Sequence, residues 1–514
     1  MREKKGKVIL LGAGPGDPGL LTLKARDVLS EAETVVYDYL ANKRFLEFCR
    51  PDAELIYVGK QGGAHTLSQS AINDLLVDKA AAGKQVARLK GGDPYVFGRG
   101  AEEAEELLAA GVAFEVVPGV TSAVAGPAYA GIPLTHRRFA SSVTLITGHE
   151  DPAKQESAHD WEALARSGST LVFFMGVKNL DLITAKLITA GLSPETPAAL
   201  VRWGTTCEQT TLADSLSGIT DLARAQDMKP PALLVVGQVV ALRDKLNWFE
   251  QRPLLGKGVV VTRAREQASS LLRLLEDLGA CCYEFPTIAI RPMPEYSRLH
   301  AAFAKLDAYD WLIFTSVNGV RMFWKELRAC GLDSRRLGGC SVAAIGPATA
   351  EALQKNGITP DFVPGQYVAE AVVRGLQEQG ISGARVLIPR AEQAREILPE
   401  ALQAAGAEVE VLPVYSTHPA ESSGTEILEH IAAGRVQFVT FTSSSTVTNF
   451  FQLVSPEALR PFVPGQVRLA CIGPITGRTL KQFGFQVDLQ PEEYTIPALA
   501  ACLACPDAPA KSRT

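Results

Sequence analysis

The chain of 514 residues reads as an α/β protein made of two consecutive halves, each folded as two lobes. Three observations predict this. Short β-branched runs ending in Gly, Pro, Ser or Thr alternate with Glu-rich, Leu-spaced stretches, the pattern of open α/β sheets. In the first half, glycine-rich stretches at 12–19 and 88–100 each follow a strand-like run. In the second half, a set of motifs recurs at one fixed spacing. The length exceeds what one core accommodates and suggests about three or four compact units.

Composition excludes several function classes. The formal net charge is −5 and the pI is near 5.9, so there is no overall basic surface for nucleic acid, and an anionic ligand must be met locally. Nine cysteines carry no metal spacing; Cys281-Cys282 and Cys502-x-x-Cys505 are the close pairs. The odd total predicts reduced thiols rather than a disulfide framework, and no metal. Met1 to Lys7 is basic, but the apolar run Val8 to Leu11 ends at Gly12, which reads as a first strand and not a signal peptide. No window reaches the ~18 apolar residues of a membrane span. A cytoplasmic protein without membrane contact is expected.

The first half, in order, begins with strand Val8 to Leu11, the loop Gly12-Ala-Gly-Pro-Gly-Asp-Pro-Gly19 and a helix from Thr22 to Glu31. Gly14-x-Gly16-x-x-Gly19 matches the dinucleotide fingerprint, and Asp38 closes the next strand where a ribose-binding acid would stand. A nicotinamide-dependent oxidoreductase is therefore one reading. Pro15 and Pro18 oppose it, because they remove two of the N–H donors that such a loop aims at a pyrophosphate. Strand Gln85 to Leu89 then leads through Gly91-Gly92-Asp93 to a helix near Ala101 to Ala110, a strand-to-helix crossing of the kind that lines ligand clefts. The two glycines admit a ligand against the main chain, and the Asp93 carboxylate suits a sulfonium or amino group; a tight turn would use the same residues.

Ala113 to Val117 is a further strand, and Thr121 and Ser122 open a helix of small residues, placed to cap it or to touch a ligand. A second αβ lobe starts at Ser141. Its strands end in small or soft residues: Met175-Gly176, Trp203-Gly204 and Gly237. Met175 suits either a core gap or the face of an adenine.

The motifs Gly12-Ala-Gly-Pro-Gly-Asp-Pro-Gly-Leu-Leu-Thr-Leu, Val35-Val-Tyr-Asp38, Val58-Gly-Lys60, Leu89-Lys-Gly-Gly-Asp-Pro-Tyr-Val-Phe-Gly-Arg-Gly100, Val117-Pro-Gly-Val-Thr-Ser122 and Gly131-Ile-Pro-Leu-Thr-His136 together resemble uroporphyrinogen-III C-methyltransferase over about residues 6–245. The resemblance implies S-adenosylmethionine in a cleft between two lobes, contacted at Pro15, Gly91, Gly92, Asp93, Val96, Thr121, Ser122, Met175 and Gly204. It also implies Asp38 as proton acceptor, Lys60 as proton donor, and a homodimer through this half. The chemistry fits such a pair: a pyrrole carbon attacks the sulfonium methyl in line, and the cationic macrocycle then loses a proton. Lys60, Arg99, Arg137 and Arg138 are candidates to meet the eight carboxylates of the substrate.

The stretch Gln251-Arg-Pro-Leu-Leu-Gly-Lys-Gly258 reads as a linker. Beyond it, Val261-Thr-Arg263 pairs with Ile388-Pro-Arg390, Phe314-Thr315-Ser316 with Phe441-Thr442-Ser443, and Ile345-Gly-Pro-Ala-Thr349 with Ile472-Gly-Pro-Ile-Thr476. From 263 to 390, 316 to 443 and 349 to 476 the offset is 127 each time, which implies duplicated lobes with a ligand between them. The hydroxyls serve as helix caps or as carboxylate donors, and Arg263 and Arg390 as fixed cations or solvated surface. These elements resemble uroporphyrinogen-III synthase over roughly residues 254–505. The resemblance implies closure of linear hydroxymethylbilane with inversion of its last ring, with Tyr415 assisting departure of the hydroxyl and Thr476 near the substrate. It also makes Pro286-Thr-Ile-Ala-Ile290 and Pro413-Val-Tyr-Ser-Thr417 the strands that cross between lobes. Packing at the lobe junction is the plainer role for Tyr415, and a non-catalytic two-lobed ligand-binding module is the alternative for this half.

The expected organisation is a tetrapyrrole-methylase fold at 1–245 (lobes about 1–140 and 141–245), a linker at 246–257, a duplicated synthase-like fold at 258–505 (lobe one about 258–286 plus 418–505, lobe two about 287–417) and a tail at 506–514. The expected function is a bifunctional tetrapyrrole enzyme that forms uroporphyrinogen III and methylates it twice to precorrin-2, on the route to sirohaem or cobalamin.

Overall fold

The computed structural model describes residues 6–59, 67–149, 159–262, 265–365, 369–394, 396–420 and 423–506. Lys60 and Arg263 lie outside the described residues. The chain divides into two compact units, Met1–Lys257 with Leu275–Cys281, and Gly258–Leu274 with Cys282–Thr514.

The first unit holds two five-stranded sheets. Strands β1 (Lys7–Gly12), β2 (Thr34–Tyr37), β3 (Glu54–Tyr57), β4 (Gln85–Lys90) and β5 (Ala113–Val117) form a parallel sheet in the order β3-β2-β4-β1-β5. Its central strands bury consecutive residues, Leu10 with Leu11, Val35 with Val36 and Val86 with Ala87, as a sheet covered on both faces must. The second sheet, from β6 (Val143–Thr147), β7 (Thr170–Phe174), β8 (Pro197–Arg202), β9 (Thr210–Ser215) and β10 (Ala232–Val236), is mixed, in the order β6-β7-β10-β8-β9. Thr22 starts the first helix by accepting from Ala25 N at 3.1 Å.

Two expectations are corrected in this unit. The stretch 246–257 is not a loose linker: Phe249 and Leu254 are buried, Trp248 donates to the Ala128 carbonyl at 3.2 Å, and Arg243 pairs with Glu250. Burial of those aromatic and aliphatic side chains, roughly 1.5–3 kcal/mol each, holds the segment down. The thiols are not all reduced: Cys207 and Cys281, 74 residues apart, form a disulfide. Nothing in their local sequence announces a contact so distant along the chain.

The second unit carries the repeat. Strands β11 (Gly258–Val261), β12 (Cys281–Glu284), β18 (Phe438–Phe441) and β19 (Arg468–Cys471) form one sheet, β12-β11-β18-β19. Strands β13 (Ile288–Pro292), β14 (Trp311–Phe314), β15 (Ser341–Ala344), β16 (Arg385–Ala391) and β17 (Glu408–Pro419) form the other, β13-β17-β16-β14-β15. Removing β13 leaves the same order in both. The equivalence reaches single bonds: Val342 N donates to Asp361 Oδ2 and Leu469 N to Asp488 Oδ2, both at 2.7 Å, with both partners displaced by the repeat offset. The crossing segments pair antiparallel with each other, Ile290 with Thr417 and Pro292 with Tyr415.

Candidate functional site

In the first unit the loops after β1, β2, β4 and β5 leave the same edge of the parallel sheet and meet the loops after β6, β7 and β8 around a cleft of about 610 Å³. Pro15, Gly91, Gly92, Asp93, Val96, Thr121, Ser122, Met175 and Gly204 all line it, as does Asp38. The sheet topology causes this convergence, because parallel strands deliver all their following loops to one edge.

Glycine lets the loops touch main chain to main chain. Gly14 and Gly92 exchange two hydrogen bonds, Gly14 N to Gly92 O at 3.1 Å and Gly92 N to Gly14 O at 2.7 Å, with φ of 75° and 69°. A Cβ on Gly119 would lie 2.2 Å from Gly92 O. Asp93 locks the assembly: Oδ1 accepts from Tyr95 N at 2.8 Å and Oδ2 from Gly119 N at 3.0 Å. Thr121 caps the helix Ser122–Tyr129, accepting from Ala123 N at 3.4 Å.

Most donors of the first loop are already engaged. Gly14 N bonds Gly92 O, Asp17 N bonds Thr205 Oγ1 at 3.1 Å and Gly19 N bonds Asp17 Oδ1 at 2.7 Å. With Pro15 and Pro18 lacking N–H groups, the loop is poorly equipped for a pyrophosphate, and the dinucleotide reading loses its physical basis.

Asp38 stands at the cleft, its Oδ1 accepting from Leu40 N and its Oδ2 from Arg88, each at 3.2 Å. Arg88 and Lys90, both buried, also line the cleft. Burial, then the neighbouring Arg88, pushes the Lys90 ammonium below its ordinary range, while Glu103 pulls the other way. Of the proposed carboxylate binders, Arg99 lines the cleft with its guanidinium on Glu102 at 3.0 Å, whereas Arg137 and Arg138 are not among the lining residues.

Sequence reasoning missed the aromatic walls and the backbone that aims them. Phe97 meets Phe174 at 4.8 Å and Tyr39 meets Trp203 at 5.7 Å between ring centroids, joining the two lobes. Phe97, Arg99, Met175 and Trp203 all adopt positive φ, 48° to 60°, a region costly for residues with a Cβ. Such strain concentrates at ligand sites. It carries no composition signal.

In the second unit, Tyr415 is buried in the core of the five-stranded lobe, and its hydroxyl lies 3.1 Å from Ser316 Oγ. Ser316 also caps the helix Val317–Ala329, accepting from Gly319 N at 3.0 Å. Ser443 caps its own helix, Ser444–Leu453, through a reciprocal box with Thr446. Thr315 and Thr442 are half-buried at the strand ends beside these caps. Thr476 is buried in the first turn of helix Pro474–Gln482, and Ser444 Oγ bonds the Ile475 carbonyl at 3.4 Å, so Thr442, Ser443 and Thr476 gather at two neighbouring helix N-termini. Arg390 is buried on β16 and paired with Glu396, so the solvated reading of this arginine is corrected. Among the described residues no group of three or more His, Cys, Asp or Glu is arranged to hold a metal ion, and no helix is long and apolar enough to cross a membrane.

Residues 7–220 match the family described as Tetrapyrrole (Corrin/Porphyrin) Methylases, and residues 269–501 match Uroporphyrinogen-III synthase HemD. Across 481 residues, 94% of this chain and 94% of the relative, the sequence is 37% identical to the porphyrin biosynthesis protein HemD of Ruminiclostridium josui. It is 55% identical over 252 residues, 49% of this chain and 98% of the relative, to the S-adenosyl-L-methionine-dependent uroporphyrinogen III methyltransferase of Methanosarcina barkeri. To the uroporphyrinogen-III C-methyltransferase of Bacillus subtilis it is 43% identical over 357 residues, 70% of this chain and 73% of the relative. Nothing in these comparisons supports an oxidoreductase.

Proposed function

The chain belongs to the tetrapyrrole methylases through its first half and to the uroporphyrinogen-III synthases through its second, and from that premise we propose how its two units divide the work of a bifunctional tetrapyrrole enzyme. The second unit closes hydroxymethylbilane to uroporphyrinogen III with ring D inverted. The first unit transfers two methyl groups from S-adenosylmethionine to that product, giving precorrin-2. A homodimer through the first unit, which the family resemblance supports, working in the cytoplasm, completes the reading.

The observation that carries the methyl-transfer reading is the convergence of the glycine-built loops and Asp38 on one cleft. Main chain bare of Cβ atoms lets the donor lie against the floor, and Met175 and the aromatic walls take its base. In-line attack then depends on position, which rigid, mutually bonded loops supply. Asp38, held from two sides by Leu40 N and Arg88, accepts the proton that the macrocycle sheds. In the second unit, paired helix N-termini with Thr315, Ser316, Thr442, Ser443 and Thr476 receive the carboxylates. The Tyr415 hydroxyl assists loss of the bilane hydroxyl.

The test supplies the full chain with hydroxymethylbilane and methyl-labelled S-adenosylmethionine and identifies the macrocycle. The expected product carries two labelled methyl groups on ring carbons, and uroporphyrinogen III accumulates when the donor is withheld. Label that never reaches a ring carbon, or closure to the unflipped isomer alone, would overturn the reading.

A further inference from the structure

Beneath the cleft of the first unit lies a buried charge cluster that the reactions above do not account for. Glu103, in the first turn of helix Gly100–Ala109, is 0% exposed. Its Oε1 accepts from Lys90 Nζ at 2.7 Å, Gln69 Nε2 at 3.2 Å and Arg88 Nε at 3.3 Å, and its Oε2 has no hydrogen-bond partner among the described residues. Holding ionised groups out of water is costly, and apolar residues of similar volume would pack this helix against its sheet at least as well. Packing alone therefore does not explain the cluster.

The charge balance does. The cleft lining carries the cations Arg88, Lys90, Arg99 and Lys178 against the anions Asp38 and Asp93. Arg99 is matched by Glu102, and Arg88 reaches Asp38. Lys90 is matched by Glu103 alone among the contacts described, from behind the floor. With Arg99 matched, the lining without that carboxylate would face its ligand with three cations, Arg88, Lys90 and Lys178, against two anions, Asp38 and Asp93. Such a floor repels a ligand whose reactive atom is positive. It tolerates the same ligand once the methyl has left and the sulfur is neutral.

We propose that Glu103 is a specificity-determining residue of the methyl-transfer cleft: its buried carboxylate offsets the Arg88–Lys90 pair so that a sulfonium donor binds, and not merely its neutral thioether product. This rests on the reading of the cleft as an S-adenosylmethionine site and states what makes that site choose by charge. Glu103 acts through Arg88 and Lys90, without touching the ligand. Donor and product differ by one positive charge, so loss of the Glu103 carboxylate penalises the donor and leaves the thioether nearly untouched.

Glu103→Gln keeps the shape and an acceptor oxygen while removing the charge. Titration calorimetry on the full chain would measure S-adenosylmethionine and S-adenosylhomocysteine in parallel. The donor is expected to weaken on the order of tenfold, as one unit charge roughly 10 Å away gives at an effective dielectric of about 20, while the thioether changes by less than about twofold. Adding Lys90→Met to the Gln variant is expected to restore the ratio of the two affinities. Equal weakening of both ligands, the signature of a purely structural role, would overturn the inference. Should Glu103→Gln fail to fold, Lys90→Met alone is expected to shift the ratio toward the donor, and an unchanged ratio overturns the inference equally. Wild-type protein that binds neither ligand would overturn the cofactor reading itself, a result distinct from equal weakening.

Discussion

Asp93 offers the sharpest test of how the cleft is built. Its two oxygens hold the amides of Tyr95 and Gly119, which tie the loop after β4 to the loop after β5. Hydrogen bonds to a charged acceptor contribute about 1.5–3 kcal/mol each. Asp93 is half-buried, which puts both near the lower end, so Asp93→Ala withdraws about 3 kcal/mol from loop positioning. Asp93→Asn keeps one acceptor oxygen and withdraws about half of that. At about 1.4 kcal/mol per tenfold, the expected loss of S-adenosylhomocysteine affinity is up to about 100-fold for Ala and about tenfold for Asn. Calorimetry measures both. Cyclisation of hydroxymethylbilane by the same proteins is expected to stay within about twofold of wild type, because Asp93 and Tyr415 belong to different compact units. Wild-type affinity in Asp93→Ala would refute the positioning argument, and cyclisation falling in step with methylation would refute separate sites.

Ser316→Ala removes both the helix cap on Gly319 N and the partner of the Tyr415 hydroxyl, so about 1 kcal/mol of stability and at least about tenfold of cyclisation rate are expected to go. Methylation of supplied uroporphyrinogen III is expected to be unchanged, and Ser316→Thr to retain most of the cyclisation; a stopped-time isomer assay that finds Ala equal to wild type contradicts this. Glu115 is held down to about 2, from an ordinary 4.5, by bonds to Lys24 and Lys7. A depressed carboxyl stabilises the fold above its unfolded value, and that contribution is lost as pH falls from 4.5 through about 2. About a third of the side chain faces water, and screening discounts the pair to about 1 kcal/mol, so chemical denaturation of Glu115→Gln is expected to show that deficit at pH 7 and none below about pH 2. A deficit that persists in acid would point to packing instead.

Much of the first unit was legible because its site is made of main chain. A loop that must touch another loop, or a ligand, without side chains writes itself as glycine and proline, and strand periodicity places each such loop at a strand end. Thus Pro15, Gly91, Gly92 and Asp93, singled out in the sequence, lie with their neighbours in the cleft. The buried charges were not, although a signal existed: Glu103 stands four residues before the buried Leu107, on the inward face of its helix, while Glu102 and Glu105 point outward. Phe249 and Leu254, both buried, likewise announced a packed segment where proline and glycine suggested a linker. Two features had no local signal. The pairing of Cys207 with Cys281 depends on contacts between distant segments, and left-handed backbone at Met175 and Trp203 is imposed by surroundings that the residue type does not disclose.

In the second unit the duplication supplies an internal control on the proposed chemistry. Most of what one lobe has, the other repeats 127 residues on, down to the Asp361 and Asp488 side chains that hold matched strands. A group that binds carboxylates evenly from both lobes should be repeated, and the Thr-Ser caps and the Thr349 and Thr476 hydroxyls are. A group that meets one hydroxyl at one end of the bilane should not be. Tyr415 has Ile288 at its equivalent position, and the surrounding differences follow. Where Ser443 has Thr446 three residues later and closes a reciprocal capping box, Ser316 has Gly319. Both cap hydroxyls accept from the backbone N–H three residues on, but their further partners differ: Ser443 Oγ meets Ser445 Oγ at 2.9 Å, whereas Ser316 Oγ meets the Tyr415 hydroxyl at 3.1 Å. The same fold, written twice, thus departs from its own symmetry at the pair to which ring closure is assigned.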